Sequence, residues 1–143
     1  MLMLDTLNYL KSLGVAFDPA TVVGNVPTVP WIYANWLPAE VTVPDQIIVI
    51  SDYMSMPPTL TMNGTGAPAL EHPRMQVMVR DSPREVVACY NRIRDIYVKL
   101  CMVIDTVLGA TRYSFIPIDS PTIMGRDDAQ RIKYVCNFQV TMQ

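Results

Sequence analysis

Along "RMQVMVRD", Arg74 to Asp81, the apolar residues Met75, Val77 and Val79 alternate with Arg74, Gln76, Met78 and Arg80. Successive side chains of a strand point to opposite faces, so this stretch predicts a half-buried strand. Directly after it the period changes. Val86, Cys89, Tyr90, Ile93, Ile96, Tyr97 and Leu100 recur at helical spacing, while Arg92, Arg94, Asp95 and Lys99 occupy much of the remaining surface. Ser82 stands where a cap belongs, Pro83 fits a first turn, and Glu85 completes a capping box with Ser82. A long amphipathic central helix is expected there. A second, shorter helix is expected near the start, where Leu2, Leu4, Leu7, Tyr9, Leu10 and Leu13 share one face and Gly14 is a natural stop.

Strands account for most of the rest. "QIIVIS", Gln46 to Ser51, is a continuous apolar run that suits a strand covered on both faces. Prolines at 27, 30, 38 and 44 restrict the stretch before it to short edge strands, of which "WIYANW" is the best candidate. "TRYSFIPID" and "RIKYVCNFQVTM" close the chain as two more strands. In the second, Ile132, Tyr134, Cys136, Phe138 and Val140 alternate with Lys133, Asn137 and Gln139. Residues 52–73 are rich in Gly, Pro, Ser, Thr and Met, which form no core face, so a long irregular loop is expected. The order is helix, three strands, helix, two strands. It predicts one α+β domain over residues 1–143, a two-layer sandwich of a mixed or antiparallel sheet of about five strands with one long central helix and a short N-terminal helix.

Composition adds a partner to this picture. Half of the 143 residues are hydrophobic and only 17% are charged, below the roughly 25% usual for soluble chains. Such a deficit points to apolar surface covered by another chain, and the ten methionines suit adaptable contact surfaces. A formal net charge of -2 argues against DNA binding by counterion release over the whole surface. Cys89, Cys101 and Cys136 are widely spaced, and His72 is the only histidine. Free buried thiols in a reducing compartment are expected, with no zinc site. The leading stretch lacks a basic region and carries Asp5, unlike a signal peptide, and no apolar run approaches the ~20 residues that span a bilayer. A cytoplasmic product with no membrane association follows.

Candidate chemistry is sparse. His72 has no serine or cysteine at motif spacing. Asp127 and Asp128 lack a third carboxylate or histidine, and "MNGTGAP" is neither a dinucleotide fingerprint nor a phosphate loop. Trp31, Tyr33 and Trp36 cluster, but no Lys or Arg lies between Pro19 and Asp45 to accompany a base-stacking platform. They read as packing residues or as the wall of a pocket in a small ligand-binding domain or enzyme. No cofactor is implied, and the expected class is not an enzyme.

Three stretches carry a resemblance. "PRMQVMVRD" leads into the helix "SPREVVACYNRIRDIYVKL"; "YSFIPIDSPTIMGRDDAQR" holds a strand, a proline-containing loop and a Gly-Arg-Asp turn; and "IKYVCNFQV" closes the chain. In these the chain resembles the minor capsid or tail-completion proteins of long-tailed bacteriophages, the group that includes tail terminators. The resemblance covers the C-terminal half by motif and the N-terminal half by element order. It implies a virion structural protein, made in the host bacterial cytoplasm, that assembles as a six-membered ring. Such a ring caps the tail tube protein, meets the head connector or neck protein, and lets genomic DNA pass without sequence-specific binding. Another neck component, such as a head-completion protein, is the alternative within the same setting.

Under this resemblance Arg126, Asp127, Asp128 and Arg131 read as a contact clasp between protomers, because arginine and carboxylate pair bidentately across an interface. Met54, Met56 and Met62 of the 52–73 loop join them as contact residues. The other reading of the clasp is a purely structural turn, with Asp128 paired to Arg131 inside one chain.

Overall fold

A computed structural model describes residues 2–16, 31–35, 44–53, 56–60 and 68–143. The elements in chain order are α1 (Leu2–Ser12), β1 (Trp31–Ala34), β2 (Ile47–Asp52), β3 (Met56–Leu60), β4 (Pro68–His72), β5 (Arg74–Asp81), α2 (Val86–Cys101), β6 (Thr106–Leu108), β7 (Thr111–Pro117), β8 (Thr122–Arg126) and β9 (Ile132–Met142). The expected two-layer sandwich of about five strands is overturned. The described residues are mostly β, with seven strands in a sheet curled into a half-barrel and two helices. β3 and β4 pair antiparallel and join β9 through Glu71↔Met142, so the nine described strands are all connected.

The error has a physical cause. Residues 56–60 and 68–72 fall in the stretch expected to be an irregular loop, because they offer no core-facing alternation. A strand at an edge needs only a backbone partner, and that periodicity cannot reveal it. Two prolines in β3, Pro57 and Pro58, are tolerated there for the same reason.

β9 organises the sheet. Residues 132–139 pair with β5, and Met142 pairs with Glu71 of β4. Going from Glu71 to Arg74 advances three residues while β9 steps back three, from Met142 to Gln139, so β4 and β5 share one register across Pro73. On the other edge β9 pairs with β7 over Tyr113–Pro117 and with β8 over Thr122–Arg126. That side is longer than β9. From Pro117↔Phe138 to Thr122↔Val135, five steps of chain match three of β9; from Ile123 to Gly125, two steps match one. Gly125 adopts φ 108°, which the bulge requires and a side chain would resist. Bulges increase local twist, and two on one side bend the sheet toward closure.

Both helices contribute to one hydrophobic core with one face of this sheet. Leu2, Met3 and Leu10 of α1 and Cys89, Ile93, Ile96 and Leu100 of α2 pack with Met75, Val77 and Val79 of β5 and Cys136, Phe138 and Val140 of β9. The expected alternation of β5 and β9 is realised. Within α1 the buried face is Leu2, Met3, Thr6 and Leu10, while Leu4 and Leu13 are exposed. Gly14 ends α1 at φ 70°, with Val15 N–H bonded to Leu10 O (3.3 Å) and Gly14 N–H to Lys11 O (3.0 Å), the bond pair of a Schellman cap. The capping box does not form. α2 begins at Val86 with Glu85 at the N-cap and no side-chain cap bond, and Ser82 serves through its carbonyl, which accepts Glu85 N–H at 3.1 Å. Cys89, Cys101 and Cys136 are free thiols, and burial pushes Cys89 up to about 11 and Cys136 higher still.

Asp81 is fully buried at the end of β5. Its carboxylate pairs with Arg92 of α2 and accepts Ser82 N–H at 2.9 Å. This charge anchors the helix to the strand before it. Asp81→Ala should lower unfolding free energy by about 3 kcal/mol, since it strands a largely covered guanidinium; urea denaturation with an unchanged m-value would confirm it.

Candidate functional site

The hairpin between β8 and β9 turns through Asp127–Arg131. Asp127 N–H bonds to Arg131 O at 3.1 Å and Gln130 N–H to Asp127 O at 2.8 Å, with Gln130 at φ 61°. That is a three-residue hairpin loop, a type I turn followed by a left-handed residue. The sequence supports it locally. An Asp at the first turn position can hold the backbone two residues on, and Asp127 Oδ1 accepts Ala129 N–H (3.1 Å) and Arg131 N–H (2.9 Å).

The second oxygen faces guanidinium groups. Asp127 Oδ2 accepts Arg131 Nε at 2.8 Å and lies 3.8 Å from Arg80 Nη1. Arg131 Nη1 reaches Asp45 Oδ1 at 3.5 Å, and Arg80 donates to the carbonyls of Asp45 (3.2 Å) and Pro44 (2.9 Å). Two acids and two bases thus tie the approach to β2, the end of β5 and the β8–β9 turn. Burial, then the charge of Arg131, hold the Arg80 guanidinium below the usual arginine range, with Asp127 and Asp45 acting the other way. Burial alone would raise Asp127, but hydrogen bonds and charge from Arg131 outweigh it and keep this carboxyl below its ordinary 3.8.

The structure therefore brings together Arg126, Asp127, Asp128 and Arg131, and divides them. Asp127 and Arg131 are paired with each other inside the chain, so the intrachain partner of Arg131 is Asp127 rather than Asp128. Arg126 is exposed and donates from Nη1 to Gln130 O (2.7 Å) and Pro83 O (3.0 Å). Asp128 is exposed, and among the described residues no ion pair or side-chain hydrogen bond holds it. Met56 opens β3, while Met54, Met62 and Trp36 lie outside the described residues. Sequence reasoning missed Asp45 and Arg80. They stand 35 positions apart, so no local pattern could have joined them.

Chemically this arrangement is a brace. Among the described residues no group of three His, Cys, Asp or Glu side chains could hold a metal ion, and the turn has no nucleophile beside a base. A family model described as bacteriophage tail terminator protein matches residues 9–143. The chain belongs to the bacteriophage tail terminator family. No individual curated protein matches the sequence. As a tail terminator it is a structural component of the virion. No described helix of this tail terminator is long and apolar enough to cross a membrane.

The depressed Asp127 carboxyl has a signed consequence. A group whose native value lies below its unfolded one adds stability at higher pH and loses it on acidification through the native value. Asp127→Asn keeps an oxygen for the turn amides but removes the charge. The stability gap between wild type and this variant should be constant above about pH 5 and close as pH falls through the range below 3.8; urea midpoints measured from pH 7 to pH 2.5 would show it.

Proposed function

We propose that this tail terminator acts as a ring of identical chains, six by the resemblance, seated on the end of the phage tail tube. The ring stops tube growth and offers its other face to the head connector, and genomic DNA passes through its hole without sequence recognition. The family match over residues 9–143 carries this reading. The low content of charged residues and the exposed apolar side chains support it, since both suit a chain that spends its working life against partners.

Within the ring, Arg126, Asp127, Asp128 and Arg131 are proposed as contact residues with unequal parts. Asp127 and Arg131 shape the turn, while Asp128 and the free side of Arg126 face the neighbour. A head-to-tail contact gives each protomer two different faces, so an outward acid beside an outward arginine can fix register at every joint. Met54, Met56 and Met62 are proposed to contact the tube or the next protomer.

Asp128→Lys tests the contact without disturbing the brace. The free chain should unfold within about 0.5 kcal/mol of wild type, as expected for an exposed site. Assembly should weaken by about 2 kcal/mol per joint if the contact is partly desolvated. Phage carrying the change should accumulate separate heads and tails, or tails of uncontrolled length. Normal particles would reduce the turn to a local brace. Negative-stain images of wild-type chain mixed with tail tube protein that show no rings would instead sink the ring itself.

A further inference from the structure

The core-facing row of β9 is covered at every position but one. Ile132, Cys136, Phe138 and Val140 are at most 1% exposed, whereas Tyr134 among them is only half-buried. Register sets Ile123 of β8 beside Tyr134 and Arg126 beside Ile132, so both side chains stand on the face that α2 covers elsewhere. Cover is incomplete there. Ile123 is 54% exposed, and Tyr90 of α2 is 37% exposed although its ring meets that of Tyr134 edge-on at 5.6 Å.

Contacts close this space at both ends. At one, Arg126 Nη1 donates to Pro83 O (3.0 Å), just before α2. At the other, the Tyr97 hydroxyl shares a hydrogen bond with Ser120 in the break before β8, and its ring lies 5.7 Å from that of Phe138. The chain from Pro83 to Tyr97 rises about 20 Å at helical pitch, and that from Ser120 to Arg126 about 20 Å as a strand. Two walls of equal length thus run side by side, with Tyr134 as the floor between them.

The β8 wall is also an open strand edge. It pairs with β9 and with no other described strand, and Thr122, Ile123 and Met124 are all exposed. An edge left apolar and uncharged invites an added strand. Arg94 lies between Tyr90 and Tyr97 on the same side of α2, is exposed, and has no ion-pair partner among the described residues. Nearby acids are placed elsewhere: Asp95 pairs with Lys99, and Asp119 bonds Asn137, whose register is on the opposite face. Glu85 and Asp128 flank the Arg126 end, so the unbalanced positive charge is at Arg94.

We infer that this groove docks an extended segment of a partner protein, apolar at alternate positions and carrying a carboxylate that meets Arg94. The backbone of such a segment continues the ladder along the outer edge of β8. Every second side chain turns over Ile123 toward Tyr90 and Tyr134. The inference rests on the reading of this chain as an assembling part and names a surface for its partner.

Fluorescence anisotropy on the full chain tests it with a labelled synthetic peptide, Glu-Val-Thr-Leu-Thr-Val-Thr, and its counterpart starting with Lys. The acidic peptide should bind saturably and about fivefold or more tighter than the basic one, and Arg94→Glu should abolish that preference. Ile123→Glu should weaken binding by about tenfold or more, with an unchanged unfolding midpoint. Absence of saturable binding, or equal affinity for the two peptides, overturns the proposal. If Ile123→Glu instead abolishes self-association in the ultracentrifuge and leaves peptide binding intact, the groove is a joint between copies; the proposal fails and the ring stands. Peptide binding by a chain that forms no rings on tail tube protein would keep the groove and overturn the ring.

Discussion

The backbone ladder on both edges of β9 is the constraint on which this fold depends. One strand of eleven residues holds β5 and β4 on one side and β7 and β8 on the other. Its inward side chains, Ile132, Cys136, Phe138 and Val140, are buried under α2. Register is therefore fixed twice, by hydrogen bonds at the edges and by burial on one face. A one-residue slip would turn this apolar set outward and move Lys133, Asn137 and Gln139 into the core.

Curvature follows from unequal partners. The β4–β5 side keeps one register through Pro73, whereas the β7–β8 side carries extra residues at the 118–121 break and at Gly125. Polar residues hold both places. Asp119 closes the break by bonding Asn137, and Asp127 closes the turn that follows the bulge. Arg80 and Asp81, adjacent in β5, point to opposite faces. Arg80 ties the turn to the approach to β2, and Asp81 ties α2 to the strand. Charged side chains thus hold several of the places where described elements join.

The legible parts of the sequence were those whose periodicity reports burial. Met75, Val77 and Val79, the face of α2 from Cys89 to Leu100, and the alternation of β9 all appeared in the pattern because the core demanded them. The β3–β4 hairpin did not, because an edge strand is specified by backbone pairing and buries no regular face. The capping box at Ser82 and Glu85 matched the preference for a helix start, yet Asp81 took Ser82 N–H and committed its carboxylate to Arg92. At the site, the cluster Arg126–Arg131 was visible as a charge pattern. Its division into an inward pair and an outward Asp128 was not, since Arg80 and Asp45 enter only through the folded sheet.

The position of β9 in the chain carries a consequence for synthesis. Every strand it pairs with leaves the ribosome before it does, so β4, β5, β7 and β8 emerge as unpaired edges awaiting a later segment. Long-range pairing of this kind folds slowly and leaves strand edges exposed in the meantime. A nascent chain lacking β9 has no partner for β8 and no anchor for the β3–β4 hairpin. A chain that stops before β9 therefore cannot close this sheet, and its unpaired edges favour association with other unfinished chains over folding.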